Sequence, residues 1–114
     1  MKVYWITGKR DSGKTSLAKK IQKESSKPTI ILDGDEIRTV YEIGFSDKNR
    51  REHILRVVKL ANIFLDQKLD VVIALVSPKK KWRMEARELL NTDDFKMIYL
   101  ENGWLWPGTK YEEP

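Results

Sequence analysis

A segment near the amino end carries the residue types that bind a polyphosphate. It runs from Gly8 to Thr15 with the letters GKRDSGKT, which match the spacing Gly, four variable residues, Gly, Lys and Ser or Thr. Glycines let backbone N–H groups wrap phosphates, lysine places a positive charge beside the β and γ oxygens, and threonine offers a hydroxyl to Mg²⁺. The alternative is an ordinary glycine turn between a strand and a helix. The predicted nucleoside-triphosphate site comprises Gly8, Lys9, Arg10, Asp11, Ser12, Gly13, Lys14, Thr15 and Ser16.

A pair of carboxylates gives a second chemical signal. Asp33 and Asp35 follow an apolar run, so we expect them at the carboxyl edge of a sheet, where open α/β folds bind ligands. In small-molecule kinases one such carboxylate holds Mg²⁺-bound water and the other orients the acceptor hydroxyl. The alternative is an Asp-Gly turn in which Asp35 caps the next helix. The predicted catalytic residues are Lys14, Asp33 and Asp35, and the predicted metal ligands are Thr15 and Asp33.

These residues need a fold that gathers them at one edge of a sheet. Apolar strand-like runs recur at residues 3–7, 29–32, 71–76 and 96–100, and helical segments separate them. The alternation predicts an α/β fold with a parallel sheet. Together with the phosphate-loop motif, it leads us to expect a sheet of the phosphate-loop kinase type, with about four strands in the order 2-3-1-4 and helices on both faces. The run at 71–76 is apolar throughout, as expected for a central strand beside the first.

The helical candidates are residues 14–23, a short turn at 35–41, and the segments 48–67 and 82–90. Asp47 is the expected N-cap of the long helix, and residues 103–114 show no periodicity. The long helix carries a wide apolar stripe that we interpret as core, formed by Ile54, Val57, Val58, Ala61, Ile63, Phe64 and Leu65.

Composition bounds the class of protein. With 114 residues, 40% apolar and 34% charged, we expect a single globular domain over residues 1–114, no membrane association and a cytoplasmic location. The absence of cysteine and the single histidine argue against disulfides and a zinc cluster. A net charge of +5 favours anionic partners, whether phosphate, sulfate or nucleic acid. The basic run at 79–83 is interpreted as a solvated helix start.

Three further motifs follow in order: LDGDEIR from Leu32, GFSDKNRREHI from Gly44, and ALVSPKKKWRMEAR from Ala74. This order resembles the adenylylsulfate kinase (adenosine 5'-phosphosulfate kinase) family over about residues 3–100. The resemblance implies ATP as the donor, with Mg²⁺, and a nucleotide acceptor. It implies that Phe45 stacks on the acceptor adenine while Arg38 and Arg50 hold the phosphosulfate. The acceptor residues expected from it are Asp35, Arg38, Phe45, Arg50, His53, Ser77 and Trp104.

The chain also departs from the family pattern. Asn49 replaces an aspartate, His53 replaces an asparagine, and Lys79-Lys80 replace an aromatic residue and an arginine. The family has a basic segment over ATP after the fourth strand, whereas here Leu100 leads almost directly to Gly103. Counted back from YEEP at the end of the sequence, Trp104 takes the place of a family phenylalanine. We therefore expect Trp104 to face Phe45 across the acceptor base.

Three candidate functions are consistent with these residues. The leading one is a compact adenylylsulfate kinase without the segment over ATP. The second keeps the kinase chemistry but acts on another nucleotide or a nucleic-acid end, through the basic run and the tryptophans. The third is a nucleotide-binding domain without turnover. The expected partner is a small-molecule nucleotide; nucleic acid is less favoured, and a homodimer is left open.

Overall fold

A computed structural model describes all 114 residues. Its sheet has the strand order β2-β3-β1-β4, and every neighbouring pair is parallel. The predicted fold class and strand order are confirmed. The strands are β1 (Lys2–Gly8), β2 (Thr29–Asp33), β3 (Asp70–Ala74) and β4 (Asp94–Leu100).

The helices are α1 (Lys14–Glu24), α2 (Gly34–Ile37), α3 (Asp47–Asp66) and α4 (Lys80–Leu89). None of them combines the length and apolar composition needed to cross a bilayer. The predicted N-cap of α3 is wrong by one residue, because the side chain of Ser46 accepts the hydrogen bond from the Asn49 N–H. Asp47 instead pairs with Lys79, with 2.8 Å between the carboxylate and Nζ.

The sheet is covered on both faces. A larger cluster, containing Trp5 and the buried apolar residues of α3 and α4, lies on one face, and Ile6, Ala18, Val72 and Ala74 form a smaller cluster. All five residues of β3 are buried, which explains its continuous apolar sequence. The strand ends at Ala74 rather than at Val76, because the chain turns sharply at Ser77, where φ is 41°.

Two predictions about burial are wrong. Ile63 was assigned to the core stripe of α3 but is 53% exposed. At about 100° per residue it lies roughly 180° around the helix from Ile54, on the solvent face. The basic run at 79–83 is not wholly solvated either, because Trp82 and Arg83 are buried.

Residues 103–114 form no helix or strand, as the lack of periodicity predicted. The segment is nevertheless attached to the carboxyl edge of the sheet. Trp104 forms an antiparallel bridge with Arg10, and Tyr111 is buried with its hydroxyl 2.6 Å from the Thr7 hydroxyl. This terminal segment therefore forms one wall of the region where the predicted site residues meet.

Candidate active site

A cavity of about 400 Å³ opens at the carboxyl edge of the sheet. Its walls come from the loop after β1, from α2 after β2, from the start of α3, from the loop after β3 and from the terminal segment. The structure brings fourteen of the predicted site residues to this one cavity; they are Arg10, Asp11, Ser12, Gly13, Lys14, Thr15, Ser16, Asp33, Asp35, Arg38, Phe45, Arg50, His53 and Ser77.

The loop from Gly8 to Gly13 contains residues in backbone conformations with positive φ. Gly13 precedes α1 with φ 99°, and Asp11 has φ 58°, both in the region that L-residues seldom adopt. Gly8 is required for a different reason: a Cβ there would lie 2.6 Å from the Leu100 carbonyl oxygen. Gly8 and Lys9, the first two residues of the loop, do not line the cavity.

Lys14 is the first residue of α1 and closes the loop on itself. Its Nζ donates to the carbonyl oxygens of Gly8 at 3.1 Å and Lys9 at 2.5 Å, and to the Ser12 hydroxyl at 3.3 Å. Burial lowers the pKa of Lys14, while Asp35 and Asp33 oppose that shift. An ammonium group with neutral acceptors in a partly desolvated loop is well placed to exchange them for phosphate oxygens.

Thr15 and Asp33 are brought together as predicted. The Thr15 hydroxyl donates to Asp33 Oδ2 at 2.6 Å, and the other oxygen of Asp33 accepts the Asp35 N–H at 3.0 Å. Thus Asp33, rather than Asp35, caps α2. No cluster of three or more His, Cys, Asp or Glu residues is present. A hydroxyl and one carboxylate suit Mg²⁺, which keeps several waters and takes few protein ligands beside a phosphate.

Phe45 and Arg38 form the outer part of the cavity. The Phe45 ring is 59% exposed, and the Arg38 guanidinium carbon lies 4.6 Å from its centroid. Arg38 Nη1 donates to the carbonyl oxygens of Ile43 and Gly44 at 3.2 and 3.3 Å, so it fixes the loop that carries the ring. Burial lowers the pKa of Arg38, but the group stays charged because a guanidinium does not lose its proton in this range.

His53 lines the cavity from the first turns of α3. The residue is 3% exposed, its Nδ1 lies 2.9 Å from the Tyr41 hydroxyl, and its Nε2 has no partner. Burial, followed by the charge of Arg38, lowers its pKa to about 4. The ring is therefore neutral at physiological pH. When Tyr41 donates to Nδ1, the proton of the ring lies on the buried Nε2.

Ser77 reaches the cavity with its backbone rather than with its hydroxyl. The hydroxyl is 2.9 Å from Thr7 Oγ1, accepts from Trp5 Nε1 at 3.2 Å and donates to the Leu75 carbonyl at 3.2 Å. All these partners lie inside the protein. The expected side-chain contact of Ser77 with substrate is therefore not what the geometry provides.

Trp104 is the clearest departure from the predicted site. It is absent from the cavity lining, where Leu105 and Trp106 are found instead. The Trp104 ring packs edge-on against Trp106, with centroids 4.8 Å apart, and its Nε1 donates to Asp11 at 2.7 Å. Counting back from YEEP led to the prediction that Trp104 faces the cavity, whereas Trp106 lines it. The direction of these side chains could not be deduced from the sequence, because the segment is irregular and has no period.

A buried polar network beneath the cavity was missed by the sequence analysis. Arg83, 2% exposed, donates to the Ser77 carbonyl at 2.6 Å and also to the Glu112 carbonyl. Its guanidinium carbon lies 5.1 Å from the Tyr111 ring centroid. The network ties the loop after β3 to the terminal segment that carries Trp106. The sequence could have indicated the burial of Arg83, because this residue lies next to Trp82 and three positions before Ala86, on the buried face of the helix.

Comparison with known proteins agrees with the geometry. The family model described as adenylylsulphate kinase matches residues 1–104. The probable adenylyl-sulfate kinase of Bacillus subtilis strain 168 is 35% identical over 104 residues, which cover 87% of this chain and 53% of the relative. The adenylyl-sulfate kinase of Prochlorococcus marinus is 40% identical over 102 residues, covering 85% and 51% respectively. The chain thus spans about half the length of these curated relatives.

Solved structures show the same likeness. The Mycobacterium tuberculosis APS kinase CysC in complex with AMPPNP and APS has a TM-score of 0.78 and 28% identity, over 87% of this chain and 61% of that one. A mutant of the same enzyme has a TM-score of 0.79 and 27% identity, over 99% and 81%.

Proposed function

The chain belongs to the adenylylsulphate kinase family, and we propose that it transfers the γ-phosphoryl group of ATP to the 3'-hydroxyl of adenosine 5'-phosphosulfate, forming 3'-phosphoadenosine 5'-phosphosulfate. The observation that carries the proposal is the shared cavity, in which the phosphate loop, the carboxylate pair and the Phe45-Arg38 wall face one another. The complex of a related enzyme with AMPPNP and APS supports the same pairing of donor and acceptor.

The donor side is built by the phosphate loop. Lys14 exchanges its carbonyl partners for the β and γ oxygens, and the N-terminus of α1 directs its dipole at the same anion. Thr15 and Asp33 would hold Mg²⁺, directly or through water, and the bound ion would neutralise phosphate charge. The existing 2.6 Å contact between these two side chains means that little rearrangement is needed.

The acceptor side is built by α2, α3 and the loop between them. Phe45 offers an exposed ring face to the adenine, and Arg38 and Arg50 offer guanidinium groups to the phosphosulfate. Arg50 already reaches across the cavity mouth, where its Nη1 lies 3.3 Å from the Thr109 hydroxyl.

The chemical step is a displacement at phosphorus. The bond between the γ-phosphorus and the bridging oxygen of ATP breaks and leaves ADP, while a new bond forms to the 3'-oxygen of the acceptor. The proton of the 3'-hydroxyl passes to Asp35, whose side chain is 74% exposed and free to approach it. Positioning and charge neutralisation supply most of the rate, because phosphoryl transfer requires little covalent help from the protein.

A nucleic-acid acceptor is less favoured by the arrangement. The basic run that would contact a strand has two of its five residues, Trp82 and Arg83, buried. Lys79 is paired with Asp47. A stacking platform for single strands needs aromatic rings and cations free at the surface, and this run provides only its remaining lysines.

The test is a magnesium-dependent ADP-release assay across adenylylsulfate, AMP, adenosine and a short oligonucleotide. We expect adenylylsulfate to give a kcat/KM at least about tenfold above that of any other acceptor, since only it joins an adenine for Phe45 to a phosphosulfate long enough to pair with two arginines, whereas AMP offers a single phosphate. Lys14→Ala should lower this value by on the order of 100-fold or more.

A matched control is Arg51→Ala, which removes a surface arginine that pairs with Glu85 away from the cavity and should leave the rate unchanged. Tight binding of magnesium nucleotide without transfer to any acceptor would refute the kinase assignment. A higher kcat/KM with another acceptor would refute only the proposed substrate.

A further inference from the structure

Arg10 shares the cavity with residues of the donor side and of the acceptor side. The lining includes Arg10, Lys14, which belongs to the donor side, and Asp35, which belongs to the acceptor side. The Nη1 of Arg10 is 3.9 Å from Asp35 Oδ1. Its charge also acts on Lys14 and on Arg38, lowering the pKa of each as a minor contribution beside burial. Mutually repelling cations around one cavity favour the binding of an anion among them.

The guanidinium of Arg10 is positioned by two aromatic rings, but its hydrogen-bond donors are not all paired within the protein. Its carbon lies 5.8 Å from the Trp104 ring and 5.7 Å from the Trp106 ring, and its Nε is buried with no hydrogen-bond partner. The pair with Asp35 is long, and the two side chains are 35% and 74% exposed, so it constrains the guanidinium only weakly. Buried N–H donors are normally satisfied, and an orphaned donor beside an anion site indicates a missing acceptor.

The backbone around Arg10 shows why this position is well defined. Its N–H donates to the Trp104 carbonyl at 2.9 Å and its carbonyl accepts the Trp104 N–H at 3.0 Å. A Cβ on Gly103 would overlap the Arg10 carbonyl oxygen, so a glycine is needed for this approach. Main-chain atoms alone make the bridge. Truncation of the Arg10 side chain therefore leaves both main-chain hydrogen bonds of the bridge in place and removes only the contacts with the Trp104 and Trp106 rings.

We propose that Arg10 is a catalytic residue that donates hydrogen bonds to the oxygens of the phosphoryl group in transit from donor to acceptor. The proposal rests on the proposed kinase function. A planar fork of N–H donors matches two equatorial oxygens of the transferred group, whose negative charge must be neutralised as the bonds at phosphorus exchange. Arg10 comes from the phosphate loop itself and is oriented by two indole rings of the terminal segment.

The experiment compares ground-state and transition-state ligands. MgADP and MgADP with aluminium fluoride, which mimics the transferring group, are titrated by calorimetry into the wild type, Arg10→Ala, Arg10→Lys and the control Arg51→Ala. Each titration is run with and without adenylylsulfate. We expect Arg10→Ala to bind MgADP within about threefold of wild type and to lose at least about 30-fold in affinity for the fluoroaluminate complex. Arg10→Lys should recover only part of that loss, because it lacks the fork.

The accompanying turnover measurement separates this proposal from the function on which it rests. With adenylylsulfate as acceptor, kcat of Arg10→Ala should fall by about 100-fold or more, with the KM for ATP changed less than about fivefold. If the affinity for the fluoroaluminate complex falls in Arg10→Ala but does not change when adenylylsulfate is added, the role of Arg10 is supported and the proposed acceptor is wrong. The role of Arg10 would be overturned if Arg10→Ala lost the same affinity for MgADP as for the fluoroaluminate complex, or lost none for either. It would also be overturned if the wild type bound the fluoroaluminate complex no more tightly than MgADP. Melting curves verify that the variants are folded.

Discussion

The single histidine of the chain predicts how stability depends on pH. His53 is buried against the cavity, and burial lowers its pKa from 6.5 to about 4. In the unfolded chain His53 becomes protonated near pH 6.5, whereas in the folded protein it stays neutral down to about pH 4. The free energy of unfolding therefore keeps its full His53 contribution above pH 6.5 and loses it as the pH falls toward 4. Arg38 and Arg56 reinforce the shift, whereas Asp35 and the Gly34 backbone oppose it.

The magnitude follows from the same values. Between pH 7.5 and pH 5, a pKa of about 4 in the folded state and 6.5 in the unfolded state corresponds to a loss of roughly 2 kcal/mol. Because His53 lines a cavity that opens to solvent, screening reduces this loss, and we expect about 1 kcal/mol. At about 2.1 cal/mol/K of unfolding entropy per residue, that loss lowers Tm by about 4 °C.

Urea unfolding of the wild type and of His53→Gln at the two pH values measures this directly. Glutamine does not titrate, so the loss between pH 7.5 and pH 5 should be about 1 kcal/mol smaller in the variant than in the wild type. The difference between the two proteins removes the contribution of carboxylates that titrate in both. Equal losses in both proteins would refute the assignment of a buried neutral His53.

Three further outcomes follow from the site. Lys14→Ala should raise the Kd for MgATP by on the order of 100-fold, measured by calorimetry, with Tm changed by less than about 2 °C, since it removes a phosphate charge and no core volume. Trp106→Ala should raise the KM for adenylylsulfate by about 10- to 100-fold while sparing MgATP, as loss of base stacking does, whereas Trp104→Ala should chiefly lower Tm. Competition titrations should show less than about a hundredfold preference for ATP over GTP, roughly 2.7 kcal/mol, because the loop contacts phosphates and no base pocket was identified; a larger preference would reveal one.

The parts of the structure that follow local patterns could be predicted from the sequence. Apolar runs separated by helical segments predicted a parallel sheet. The predicted strand order, β2-β3-β1-β4, is confirmed. The proximity of Thr15 and Asp33 followed from their places at the carboxyl ends of β1 and β2, since parallel strands present these ends at one edge of the sheet. The roles assigned to the cavity residues stay predictions until ligands are bound.

Other features depended on contacts that the sequence pattern does not encode. Trp106 rather than Trp104 lines the cavity, because their segment has no period and its direction is set by the bridge to Arg10. The inward hydroxyl of Ser77 depends on partners about seventy residues away in β1. The orphaned nitrogens of Arg10 and His53 are visible only once the cavity is assembled around them.

The most direct test of the kinase assignment is to identify the product by ³¹P NMR after incubation of the protein with ATP, Mg²⁺ and adenylylsulfate. We expect a new phosphomonoester resonance, coupled to the ribose proton at the 3' position, to grow in equal amount with ADP. The phosphosulfate resonance should remain intact, because no bond at that group is broken. Formation of ADP without that resonance, or no reaction in a protein that binds both nucleotides, would contradict the account.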